Sequence, residues 1–119
     1  MPLKLSSRSV RGVIVVDCAG RIVFGDEAAI LREELKKLLQ HNRSIVLNLS
    51  NVGYIDSGGL GTLVGIYTSA RNLGGQIKLA GLNSRVIDLL QITKLVTVFE
   101  TFKTVDQATD SFSGAAGAA

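Results

Sequence analysis

The chain has 119 residues, 46% hydrophobic and 19% charged, a length and balance that build one hydrophobic core and leave no room for a second domain. The formal charge is +3, but the basic residues are scattered from Lys4 to Lys103 with Lys36 and Lys37 the only adjacent pair. With 5% aromatic residues and no Trp, neither a basic stripe nor stacking platforms are present, so no nucleic-acid partner is expected.

No apolar run reaches the length of a membrane span, and Met1 to Ser6 lacks the features of a signal peptide. A cytoplasmic protein without direct membrane insertion is therefore expected. Near the N-terminus, Lys4 to Arg8 offers a weak strand. Gly12-Val13-Ile14-Val15-Val16-Asp17 and Arg21-Ile22-Val23-Phe24 are β-branched runs separated by Ala19-Gly20, a pattern that predicts a hairpin. Cys18, the single cysteine, forms no internal disulfide and reads as core packing beside Val15, Val16 and Ala19.

From Asp26 the period changes, because Ala28, Leu31, Leu35, Leu38 and Leu39 share one helical face. Asp26 and Glu27 at its start and Lys36, Lys37 and His41 toward its end complement the helix dipole. His41 is the only histidine, so a metal site and a catalytic triad both lack their residues.

Ser44 to Ser50 is apolar enough to be a strand covered on both faces. After a turn over Asn51 to Thr62, Leu60, Leu63, Val64, Tyr67 and Leu73 fall at helical spacing and stop at Gly74-Gly75. Gln76 to Gly81 predicts a strand. Asn83 or Ser84 can cap a helix through Val86, Ile87, Leu89 and Leu90, and Thr97 to Glu100 predicts the last strand. Thr104 can cap a short final helix through Val105 and Ala108. Residues 111–119 are almost all small and predict a flexible Gly/Ala/Ser tail behind a single domain over 1–110. Strands alternating with helices of this length predict an α/β fold, a mixed and mostly parallel sheet with helices packed against it. In such sheets function sits at the carboxyl ends of the strands, here the turn after Leu49.

That turn contains Asp56-Ser57-Gly58-Gly59-Leu60-Gly61. Asp56 and Ser57 are both good N-caps. The three glycines each weaken a helix by about 0.5–1 kcal/mol, either because the helix packs closely on the sheet or because bare backbone must meet another molecule. A serine hydroxyl on a helix N-terminus can be phosphorylated, gaining roughly −1.5 to −2 charge and three acceptor oxygens. The helix dipole tolerates that phosphate, whereas a partner pressed against it does not. Hydrolase chemistry is excluded, since Ile55 replaces the first glycine of the nucleophile elbow and no base is at hand. A P-loop is excluded by Thr62-Leu63 where Lys and Ser or Thr would follow the glycines. Weak nucleotide affinity at the helix start stays open as an alternative.

The strand Ile45-Val46-Leu47-Asn48-Leu49-Ser50, the turn Tyr54-Ile55-Asp56-Ser57-Gly58-Gly59-Leu60-Gly61 and the segment Gly74-Gly75-Gln76-Ile77-Lys78-Leu79-Ala80-Gly81-Leu82 together resemble the STAS family, specifically its stand-alone bacterial anti-sigma factor antagonists. The resemblance covers about residues 10–110. It implies a non-enzymatic STAS domain, needing no cofactor, that binds an anti-sigma factor serine kinase and so regulates sigma-factor-dependent transcription. It further implies that the kinase phosphorylates Ser57 and that a phosphatase reverses this. Partner contacts are then expected from Asp56, Ser57, Gly58, Gly59, Leu60 and Gly61, with Ile22 and Val23. The chain departs from the family at Gly20-Arg21-Ile22-Val23, where many members have Gly-Glu-Leu-Asp, at Asn48, where aspartate is common, and at Gly58, where serine or alanine is usual. An alternative within the same fold is a scaffold subunit of a signalling assembly or of a lipid transporter.

Overall fold

The opening hairpin is set by a two-residue turn at Arg11 and Gly12, whose φ angles of 51° and 82° are both positive, as a type I′ turn requires. It joins β1 (Lys4–Val10) antiparallel to β2 (Val13–Ile22), with Val10 opposite Val13 and Lys4 opposite Ala19. The computed structural model describes residues 3–117, with side chains through Phe112. The expected hairpin at Ala19-Gly20 is thus corrected. Residues Val13 to Ile22 form one strand, because β2 is paired on both edges and its ladders override the glycine signal. The weak segment at Lys4 is its true partner, an edge strand whose exposed polar side chains hide its period.

The remaining elements are α1 (Asp26–Leu39), β3 (Ser44–Ile55), α2 (Ser57–Asn72), β4 (Gln76–Ala80), α3 (Ser84–Ile92), β5 (Thr101–Phe102) and α4 (Val105–Gly117). The sheet order is β1-β2-β3-β4-β5, with β2 through β5 parallel. Right-handed crossovers that all step the same way put α1, α2 and α3 on one face. The larger core is there: Val16, Cys18, Ile45, Leu47, Leu49, Ile77 and Leu79 point from the sheet onto Leu31, Leu35, Leu63, Ile66, Val86 and Leu90. The other face, Val13, Val15, Val46 and Ala80, is covered by α4 through Ala108, Val105 and Phe112.

Three further expectations are corrected. β3 does not stop at Ser50 but runs to Ile55, through register shifts against β2. Those shifts let Leu49, Val52 and Ile55 all reach the core although they are three residues apart, a spacing that conceals the strand from a period-2 reading. Thr97 to Glu100 is not a strand. A short 3-10 turn covers Leu95–Thr97, Phe99 inserts into the core as a single anchor against the Tyr67 ring, and β5 begins only at Thr101.

The domain also extends past residue 110, since α4 continues through the small-residue stretch. Lys78, 5% exposed on β4, donates to Ser111 Oγ at 2.7 Å, pairs with Glu100 at 3.2 Å and lies 4.2 Å from the Phe112 ring centroid. Ser111 and Phe112 therefore belong to the packed structure. Ala118 and Ala119 lie outside the described residues.

The caps follow the local chemistry. Asn83, not Ser84, caps α3 by accepting from the Val86 N–H at 2.9 Å, and its amide also donates to the Val52 carbonyl. Thr104 Oγ1 accepts from the Gln107 N–H at the start of α4.

Candidate functional site

Asp56 stands between β3 and α2 with extended backbone, and it alone is the N-cap of α2. Its Oδ1 accepts from the Gly59 N–H at 2.7 Å, and its carboxylate also accepts from the Phe24 N–H at 3.1 and 3.2 Å. Its own N–H donates to the Ile22 carbonyl at 3.3 Å. One side chain thereby ties the start of α2 to the loop between β2 and α1. The Gly59 N–H, helped by that of Phe24, holds the Asp56 carboxyl below the usual carboxylate range.

With the capping role taken by Asp56, Ser57 is the first residue of α2 and is exposed. Among the described residues its hydroxyl makes no hydrogen bond to another side chain or to backbone. It stands at the positive end of a sixteen-residue helix, where added negative charge is favourable.

The glycines divide into two kinds. A Cβ on Gly58 would lie 2.5 Å from Phe24 Cβ, and one on Gly59 would run into the Ile22 carbonyl. These two exist because α2 starts against the end of β2. Gly61 and Gly65 are different, since a Cβ on either would meet nothing within 4 Å. Packing does not require them, yet each weakens α2 by about 0.5–1 kcal/mol relative to alanine.

Of the residues expected to touch a partner, Asp56, Ser57, Gly58 and Gly61 share one surface, and Val23 borders it half-buried. Ile22, Gly59 and Leu60 are buried, which corrects their placement in a contact surface. Ile22 is fully enclosed and Leu60 points into the core, so they support the turn from beneath. Sequence reasoning missed Phe24, 81% exposed and packed over Gly58. Its signal is an aromatic residue just past the end of β2, directly before Gly25, whose φ of 108° fits only glycine.

The Asn48 departure has a local cause. Its Nδ2 donates to Asp17 Oδ1 at 2.8 Å, and its Oδ1 accepts from the Ser50 N–H and hydroxyl. Arg8 closes the other side of Asp17 at 2.8 Å, and together Arg8 and Asn48 hold the Asp17 carboxyl below its ordinary value. An aspartate at 48 could not donate to Asp17. Cys18 is buried, and that burial pushes its thiol up to about 12, which suits packing and not reactivity. No helix among the described residues is long and apolar enough to cross a membrane.

A five-stranded mixed sheet whose helices flank a capped, serine-bearing turn defines the STAS class, and the STAS domain family matches residues 4–108. The chain belongs to the STAS domain family. Among its relatives is the anti-sigma-B factor antagonist of Bacillus subtilis, 38% identical over 88 residues that cover 73% of this chain and 79% of that protein. In structure it is similar to an anti-sigma factor antagonist from Mycobacterium paratuberculosis, with a TM-score of 0.79, 22% identity and 92% of both chains covered. It is also similar to the Bacillus cell fate determinant SpoIIAA in its phosphorylated form, with a TM-score of 0.71, 16% identity, and 92% of this chain and 99% of that one covered. At these identities the two structures bear on the fold alone.

Proposed function

We propose that this protein is an anti-sigma factor antagonist, a binding module that engages an anti-sigma factor serine kinase when Ser57 is unmodified and releases it when Ser57 is phosphorylated. The carrying observation is the division of labour at the turn: Asp56 holds the helix start, so the exposed Ser57 hydroxyl has no structural duty. The names of the relatives, anti-sigma-B and anti-sigma F factor antagonists, support the reading.

The mechanism follows from charge and position. A phosphate on Ser57 meets the positive end of α2, so the domain keeps its fold. A partner seated on Ser57 and Phe24 must instead bury that charge without a matching cation, beside the Asp56 carboxylate, at a cost of several kcal/mol. In this cycle the domain is a substrate, a phosphatase restores the binding form, and the host cell compartment is the cytoplasm.

The test is incubation with candidate anti-sigma factor serine kinases and magnesium ATP, followed by mapping of the product by mass spectrometry. Label on Ser57, and loss of kinase binding by the Ser57→Asp variant, is the expected result. Label confined to another residue, or full binding by Ser57→Asp, would overturn the reading.

A further inference from the structure

An open groove of about 750 Å³ runs between α1 and α2. Leu35, Leu39 and Ile66 form its floor, and Phe24 and Gly58 close the end next to Ser57. From Gly58 to Ser69 the α2 wall is about 16 Å long, three helical turns at 1.5 Å per residue. Arg32 and Lys36, one turn apart on α1, line the other side. Among the described residues neither is ion-paired, and no Asp or Glu lines the groove.

We propose that this groove receives an amphipathic helix with an acidic face, supplied by the partner that docks at Ser57; the inference rests on the partner-binding reading above. Gly61 and Gly65 on the α2 wall are exposed, and the fold places nothing within 4 Å of where a Cβ on either would be. What they provide is a backbone that another helix can approach closely, which a larger residue would prevent. The exposed Phe24 ring supplies an aromatic anchor at one end, and the Arg32 and Lys36 pair selects carboxylates over cations by simple complementarity. A phosphate on Ser57 stands at the mouth of the same groove and repels an acidic occupant.

The experiment titrates the unmodified, isotopically labelled protein with two synthetic amphipathic peptides of about fifteen residues, long enough to fill three turns. The peptides share a Leu and Ala face and carry either Glu or Lys on the other. The Glu peptide is expected to shift the amide signals of Gly61, Gly65, Arg32 and Lys36 and to bind at least fivefold more weakly in high salt. The Lys peptide is expected not to bind, and the R32E/K36E variant to reverse the preference. A Gly61→Leu, Gly65→Leu variant is expected to melt about 5 °C higher and to bind the Glu peptide at least tenfold more weakly, a combination that misfolding cannot produce. Absence of shifts at millimolar peptide, equal binding of both peptides, or undiminished binding by the doubly substituted variant would overturn the proposal. No kinase enters these measurements, so their failure and a failure of Ser57 phosphorylation are separately visible.

Discussion

The carboxylate of Asp56 accepts the backbone N–H of Phe24 at 3.1 and 3.2 Å across thirty-two residues of chain. The loop that carries the exposed aromatic ring and the helix that carries the serine are therefore tied directly to each other through one side chain. Asp56 has its carboxyl held low by the Gly59 and Phe24 N–H groups, so its stabilising contribution is full above the unfolded value near 4 and is lost as pH falls through the lower folded value. The Asp56→Ala variant, which removes the cap acceptor, should melt roughly 4–8 °C below the parent at pH 7. Thermal melts from pH 7 to 2 should show that gap closing in acid.

The two kinds of glycine should respond in opposite directions. Gly59→Ala puts a methyl group into the Ile22 carbonyl and should cost about 3 kcal/mol or more in chemical denaturation. Gly61→Ala places the same methyl in open space and should stabilise by about 0.5–1 kcal/mol.

Asn48→Asp exchanges a donor for a carboxylate directly facing Asp17. Stability at pH 7 should drop by about 1–3 kcal/mol. Because repulsion raises the carboxyl values in the folded variant, the loss should shrink as pH is lowered toward 4, and a urea titration at both pH values reads the difference directly.

Phe24→Ala removes an aromatic ring that is 81% exposed, so the melting temperature should move by no more than a degree or two. As the proposed aromatic anchor of the interface, the ring should carry enough of the binding that affinity for the partner falls at least tenfold. Calorimetric titration of parent and variant with the purified anti-sigma factor separates the two effects.

How much of this was legible in the sequence depends on what each residue is in contact with. α1 is readable because Ala28, Leu31, Leu35 and Leu39 repeat at helical spacing and are buried, and the α/β class follows from the alternation of elements. β3 beyond Ser50 is not readable, because register shifts replace the two-residue period by a three-residue one. The end of α4 is missed for another reason: Ser111 and Phe112 matter through Lys78 and the sheet face on distant strands that α4 covers. At the site, Asp56 and Ser57 are visible as helix-start chemistry, but their division of labour depends on Phe24, which local sequence does not connect to them. The burial of Ile22 and Leu60 is likewise a property of the sheet and helix that meet there.

The strands lie side by side in the same order as they occur along the chain. Each new strand emerging during synthesis therefore finds the previous one as an open edge, and none has to be threaded between two that are already in place. Such neighbour-by-neighbour growth limits each closure to at most one helix and its connections, with α4 following to cover the face that the earlier helices leave bare.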